Sequence, residues 1–226
     1  MVNKILINRF VKIIIQAQKA DTQGLLSLRK KIMKAVGTFG ARQFVTITAQ
    51  VLKDNFNIEG CNDPRITLKR IFSISLEELE DDLSKTKNFL PKSHPIYLLS
   101  EDHRESVRKL MALDFYKESE VNDFHKELDL HIKKEEEVLF PALEKSGMNE
   151  HPESLRNEHK EFKDTLSKIP AAAMEEKTGL KEKFISAIAN HIFRETHIFY
   201  PAALEFIIEE SVWDEIRQRF DSVARN

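Results

Sequence analysis

The sequence is poor in cysteine, glycine and proline, and it has no long uninterrupted apolar run. Its 226 residues include one cysteine, Cys61, so an intrachain disulfide and a thiolate-rich structural zinc site are excluded. Six glycines and seven prolines leave few forced helix ends, which favours an all-α fold. The apolar stretch 5–15 is interrupted by Arg9 and Lys12, and no small-residue cleavage site follows it. We therefore expect a cytoplasmic protein without a membrane span or a secretory signal.

Acidic residues are scarce near the start of the chain. Residues 1–45 contain nine Lys or Arg and one acid, Asp21, so their net charge is +8. Because the whole chain has a net charge of −2, the remainder carries about −10. A basic amphipathic segment can bind nucleic acid, anionic lipid or an acidic protein. No binding motif or aromatic interleaving accompanies the charge, so a solvated helix face that packs on the acidic half is favoured. Nucleic acid is not expected as a partner, and a protein partner is the binding alternative.

The pattern of apolar residues divides the chain into a helical N-terminal region, 1–90, and a bundle region, 91–226. Helical spacing predicts three or four helices in the first region, and Ser75 followed by Glu78 predicts a capped helix start. Four long helices with short connections follow, which predicts an antiparallel up-down four-helix bundle closed by a short C-terminal helix. The predicted ranges are 41–56 for the third N-terminal helix, 95–117, 120–145, 152–168 and 178–208 for bundle helices A to D, and 211–224 for the last helix.

Two stretches of the bundle region repeat each other. His131 and Glu135 stand four residues apart, as do His191 and Glu195, and an aromatic-Pro-Ala sequence begins five residues after each glutamate. Residues four apart share one face of a helix, so each copy presents an imidazole and a carboxylate in the same direction. The proline in each copy predicts a kink just past the pair.

Each of the four bundle helices has an inward stripe that is apolar except for one histidine, with one glutamate added on helices B and D. A single histidine on an apolar face is more often a hydrogen-bonded core residue than a ligand. One histidine on each of the four helices is improbable if the histidines only fill the core. Burying these polar groups without partners would also be costly. A shared metal site satisfies them together. The predicted metal ligands are His103, His131, Glu135, His159, His191 and Glu195.

Four neutral imidazoles and two carboxylates suit iron, manganese or zinc. Six ligands are too many for one tetrahedral zinc, but they suit two metals that share the carboxylates. If both glutamates bridge, each metal takes two histidines and two carboxylate oxygens, and a bridging oxide or hydroxide and one open position complete its shell. Surface or supporting positions are predicted for the remaining histidines, which are His94, His125, His151 and His197.

These residues resemble the hemerythrin-like, or HHE cation-binding, family over about residues 94–208. The resemblance implies a four-helix bundle with a non-haem di-iron centre, often oxo-bridged, that binds dioxygen, nitric oxide or iron itself. Manganese or zinc are possible substitutes for the two irons. The resemblance is carried by an ordered set of motifs, which are Glu101-Asp102-His103-Arg104-Glu105, His131 to Pro141, Asn157-Glu158-His159-Lys160-Glu161, and His191 to Glu195 with Tyr200-Pro201.

The sequence departs from two branches of this family. Oxygen-carrying hemerythrins place a second histidine four residues after the one on helix C, where this chain has Lys163. Its ligand set looks more like that of the iron-sulfur cluster repair proteins, which usually carry an N-terminal Cys-Cys pair, whereas this chain has only Cys61. The resemblance thus implies a di-iron protein in sensing or stress response that binds dioxygen or nitric oxide. The alternative is iron-sulfur cluster repair, or reduction of nitric oxide or peroxide, at the same centre.

Overall fold

The computed structural model describes residues 4–53, 61 and 63–223. All regular secondary structure within these ranges is helical, which confirms the all-α class. The elements are α1 (Lys4–Gln18), α2 (Thr22–Phe39), α3 (Ala41–Lys53), α4 (Pro64–Ile71), α5 (Leu76–Lys85), α6 (Pro95–Ala112), α7 (Glu118–Lys134), the π-helical turn π1 (Glu135–Leu139), α8 (Phe140–Lys145), α9 (Glu150–Lys168), α10 (Met174–Arg194), the π-helical turn π2 (Glu195–Phe199), α11 (Tyr200–Phe206) and α12 (Glu210–Val223).

Side-chain caps set the starts of several helices. The Asp21 carboxylate accepts the Gly24 amide at the start of α2, and the Asp63 carboxylate accepts two amides at the start of α4, where Pro64 is the first helical residue. At α5 the Ser75 hydroxyl accepts the Glu78 amide at 3.2 Å, which confirms the predicted cap.

The N-terminal part contains more helix than the sequence predicted. Five helices, α1 to α5, lie within its described residues, against the three or four expected. The short α4 was missed, although its Asp63-Pro64 start is a recognisable signal. The predicted helix 41–56 is observed as α3, and its residues after 53 lie outside the described ranges.

Helix A is shorter than predicted and ends at Ala112 instead of 117. Leu113 takes an extended backbone conformation, and the Asp114 carboxylate then accepts the Tyr116 amide in a local turn. The predicted bundle helices B and D are each interrupted by a π-helical turn, which is described with the metal centre below.

Contacts divide the chain into two compact units. The first contains residues 1–73 and 193–205. In it α1 packs on α2, α3 and α4, and α3 packs on π2. The Glu205 carboxylate accepts the amides of Ala41 and Arg42 at 2.8 and 3.1 Å and thereby caps the start of α3. The preceding Gly40 has φ +90°, a backbone conformation that side chains disfavour, so this turn requires glycine.

The second unit contains residues 74–192 and 206–226. In it α6 packs on α7, α7 on α9, and α12 on both α6 and α7. Phe184 of α10 lies edge-on against Phe124 of α7 and Phe162 of α9, with ring centroids about 6 Å apart. The predicted division at residue 90 stays a prediction. In the structure α5 packs on α6 and belongs with the second unit.

Within the described residues, none of the helices combines the length and the apolar character that a membrane span needs.

Candidate metal centre

The six predicted ligands are all buried, each with at most 5% of its surface exposed. His103 lies on α6, His131 near the end of α7, His159 on α9 and His191 near the end of α10. Glu135 and Glu195 follow the last residues of α7 and α10, each one turn after a histidine on an uninterrupted helical run. Helical spacing therefore presents each glutamate on the same side as its histidine, as the duplicated sequence predicts.

The structure brings these six residues together as two groups that could each hold a metal ion. Both groups contain Glu135 and Glu195, and within each group one ligand atom per residue lies within 4.8 Å of the others. The histidines differ, because one group adds the pair on α6 and α7 and the other adds the pair on α9 and α10. The two groups are His103, His131, Glu135 and Glu195, and Glu135, His159, His191 and Glu195.

Glu135 occupies a central position between histidines of the two groups. Its Oε2 lies 3.5 Å from His131 Nε2 and 3.4 Å from His159 Nε2. A carboxylate oxygen flanked in this way can bridge two cations, each of which also binds one of the imidazoles.

The imidazoles of His131, His159 and His191 each have a carboxylate at Nδ1, the ring nitrogen away from the centre. Nδ1 of His131 lies 3.4 Å from the Asp102 carboxylate. Nδ1 of His159 lies 2.8 Å from Glu136, and Nδ1 of His191 lies 3.0 Å from Glu158. A carboxylate at Nδ1 fixes the tautomer with its proton there, which leaves the Nε2 lone pair for a metal.

Sequence reasoning missed these three carboxylates. They have a simple signal, because each is the immediate neighbour of a predicted ligand: Asp102 precedes His103, Glu136 follows Glu135 and Glu158 precedes His159. Each contacts a histidine on another helix, so the carboxylates link α6 to α7, π1 to α9, and α9 to α10.

The Nε2 atoms test whether a metal fits this site. His159 Nε2 and His191 Nε2 lie 3.2 Å apart, and two lone pairs at that distance repel unless a cation or a proton lies between them. His131 Nε2 is buried and has no hydrogen-bond partner among the described residues. Burial without a partner is costly, and a cation bound among these buried nitrogen atoms would satisfy them.

The pKa shifts indicate a site that favours positive charge. Burial alone would lower the pKa of His159, but its bonds to Glu135 and Glu136 outweigh burial and raise that pKa. Burial alone would raise the pKa of Asp102, but the hydrogen bond and charge of His131, together with a nearby lysine, lower it to about 2. Burial alone would also raise the pKa of Glu136, but the hydrogen bond and charge of His159 lower it, so Asp102 and Glu136 are both ionised beside the imidazoles at neutral pH.

Both glutamates begin a π-helical turn. The Phe140 amide donates to the Glu135 carbonyl and the Tyr200 amide to the Glu195 carbonyl, five residues back in each case. A proline follows each donor and cannot supply the amide that an α-helix needs at that position. The sequence predicted a kink past each pair, and the structure has a π-helical turn there.

In the first copy the structure shows what replaces the missing bond. Pro141 has no amide hydrogen for the carbonyl of Glu137, four residues earlier, and Arg219 of α12 donates to that carbonyl at 2.7 Å. The C-terminal helix α12 thus satisfies a backbone group next to the candidate centre.

Lys163 stands four residues after His159, where a further histidine would be needed for a fifth imidazole. Its ammonium lies 2.8 Å from the Asp129 carboxylate, so the side chain forms an ion pair with an acid that is not one of the candidate ligands. The His197 ring packs against Phe193 at a tilt of 48°, with ring centroids 4.7 Å apart, and His94 caps the start of α6, so both fill supporting positions.

Comparison with known families identifies the segment that holds this site. Residues 94–203 match the hemerythrin HHE cation binding domain. We call them the HHE segment, and they make up just under half of the chain. The HHE segment contains all six predicted ligands, and the match indicates a metal-binding protein. The chain matches none of the curated proteins and none of the solved structures with which it was compared.

Proposed function

We propose that this chain is a non-haem di-iron protein that binds a small diatomic ligand, dioxygen or nitric oxide. In this proposal α6, α7, α9 and α10 form an antiparallel four-helix bundle around the centre. The observation that carries the proposal is the composition of the two candidate groups, which have different histidine pairs and the same two glutamates.

This composition supports two metals better than one. If Glu135 and Glu195 both bridge, each metal receives two imidazoles and two carboxylate oxygens. A solvent-derived oxide or hydroxide would complete this ligand set, and a coordination position that the protein leaves open would accept the diatomic ligand. Iron is proposed because of the HHE match, and the same ligand types also accept manganese and zinc.

We further propose that the protein senses its ligand or iron and does not simply carry oxygen. The support is Lys163, which is held by Asp129 and does not provide a fifth imidazole. A second support is the contact of π2, which begins at ligand Glu195, with α3 of the basic N-terminal part. A change at Glu195 can therefore reach helices outside the HHE segment, where a protein partner could detect it.

The experiment that tests the metal proposal is a metal count on protein made in iron-replete medium, with a near-ultraviolet absorption spectrum. We expect about two irons per chain and charge-transfer bands typical of an oxo-bridged pair. Glu135→Ala and Glu195→Ala should each lower iron occupancy, since each removes a shared ligand. Glu161→Gln is the control, because Glu161 is an exposed acid on α9. Full occupancy in both alanine variants would contradict the bridging arrangement.

The second candidate function is stress chemistry at the same centre, either repair of iron-sulfur centres or reduction of nitric oxide or peroxide. The observation that favours it is the set of four histidines and two glutamates without a fifth histidine. Incubating the reduced protein with nitric oxide, with peroxide and with a damaged cluster distinguishes the two, since only this candidate requires turnover.

A further inference from the structure

The helices α1, α2 and α3 enclose a cavity of about 450 Å³. The cavity belongs to one compact unit and includes none of the six candidate metal ligands, so it is independent of the metal centre. Its volume lies in the range typical of small-molecule sites, roughly 300–1,000 Å³. The apolar part of its wall includes Phe10, Ile13, Ile32, Ala35, Phe39 and Phe44.

The apolar wall is incompletely covered by the protein itself. Phe10 and Phe44 meet edge-on with centroids 5.5 Å apart, and Phe44 is only partly buried. Phe39, the last residue of α2, is 42% exposed. Helix α2 runs past Gly37 to this residue, which places an aromatic ring beside the opening. Large apolar side chains left partly open around a cavity are typical of a ligand site.

The charged part of the wall has one sign. Arg9 and Lys12 of α1 and Lys31 and Lys34 of α2 line the cavity and are exposed, and none of the described residues that line it is acidic. Within the described part of the chain, none of the four cations has an ion-pair partner. Four like charges around one opening repel each other, so an anion bound among them would be stabilised.

We propose that this cavity binds a free fatty carboxylate. The apolar chain fills the space between α1, α2 and α3, and the carboxylate lies at the opening among the four cations. Burial of the chain supplies most of the affinity, and the cations select the anionic head group. The sequence favoured a solvated face for the basic N-terminal helices. In this proposal part of that face binds an anionic ligand.

The test is a calorimetric titration of the full chain with monomeric dodecanoate, below its micelle concentration. We expect one molecule per chain, weaker binding of neutral dodecanol and still weaker binding of dodecyltrimethylammonium. Ala35→Leu narrows the cavity and should weaken dodecanoate binding about tenfold or more. The double variant Lys31→Gln and Lys34→Gln should weaken it about tenfold through loss of charge, and its exposed positions leave folding unaffected.

The matched control is Lys30→Gln, which removes a neighbouring exposed cation of α2 that does not line the cavity. It should bind dodecanoate as the wild type does. Equal binding of the cationic and anionic detergents would overturn the proposal, and so would equal losses in Lys30→Gln and in the double variant. Binding only to anionic phospholipid vesicles, or only to an acidic helical peptide, would also overturn it and would assign the face to that partner.

Discussion

His94 caps α6 through an atom whose hydrogen bond depends on pH. Its Nδ1 accepts the Ile96 amide at 3.1 Å, and its ring packs against Trp213 at a tilt of 46°, with centroids 4.6 Å apart. Nδ1 can accept this bond only while it carries no proton. Burial lowers the pKa of His94 below its ordinary value of 6.5, so the fold favours the neutral, capping form.

The lowered pKa predicts that acid weakens the fold through His94. Below about pH 6.5 the unfolded chain takes up a proton at this position more readily than the folded chain does. The free energy of unfolding is therefore fully retained above that pH and falls as the pH drops toward the folded pKa. His94→Asn should reduce this fall, because asparagine caps a helix and does not titrate.

The measurement is urea unfolding of both proteins, in the same metal state, at about pH 8 and about pH 5.5. His125→Asn, a change on α7 that removes no cap, is the control. An identical pH dependence in wild type and His94→Asn would contradict the assignment.

At the scale of elements, the turn between α2 and α3 requires a glycine at Gly40, whereas α2 does not require one at Gly37. A Cβ at Gly40 would require a side chain at φ +90° and would lie 2.9 Å from the Glu205 carboxylate that caps α3. A Cβ at Gly37, within α2, would have no atom within 4 Å.

We expect opposite effects from the same substitution at these two positions. Gly40→Ala should lower the free energy of unfolding by about 2 kcal/mol or more, through backbone strain and a displaced cap. Gly37→Ala should raise it by about 0.5–1 kcal/mol, since alanine is the better helix former. Denaturant unfolding of both variants provides the measurement, and destabilisation by Gly37→Ala would show that α2 is not helical there in solution.

The candidate site could be predicted from sequence because it depends on local spacing. His131 and Glu135 share a helix face wherever their helix packs, and an apolar stripe with one histidine identifies His103 and His159. The π-helical turns could not be predicted, because a proline inside a helix is compatible with a kink, a break or an extra residue. Gly37 did not end α2, since an exposed glycine costs a helix only about 1 kcal/mol.

Tertiary contacts decide what local patterns leave open. The capping of α3 by Glu205 joins positions more than 160 residues apart, and no spacing rule connects them. The same holds for Arg219 and the carbonyl of Glu137. The predicted break near residue 90 was inferred from prolines and stays a prediction, and the contact of α5 with α6 is a feature that such a local signal does not reveal.

At the scale of the whole molecule, metal loading should be detectable in α3. Glu195 begins π2, and π2 packs on α3 within one unit. A metal bound by Glu195 fixes π2, so the amides of α3 should exchange more slowly in the loaded protein than in the metal-free protein. Hydrogen exchange read by mass spectrometry measures this difference.

The Glu195→Ala variant is the control for this prediction. Metal held by the remaining ligands should then leave α3 exchange unchanged, because the link through π2 is lost. Equal α3 exchange in loaded and metal-free wild type would contradict a readout through the N-terminal helices, whatever the iron count.

The division of the chain into units has a practical consequence for dissecting it. The helical run that starts at Met174 is divided between the two units. Its part up to residue 192 belongs to the second unit, and residues 193–205, which include Glu195, belong to the first. A fragment cut to contain only the HHE segment would keep every candidate ligand but would lose the helices on which its residues 193–203 pack. Such a fragment would leave Phe193 without Phe72, and it would lack Glu205, which caps the start of α3. The segment that matches a known domain is therefore not the smallest piece that should be expected to fold and hold its metal.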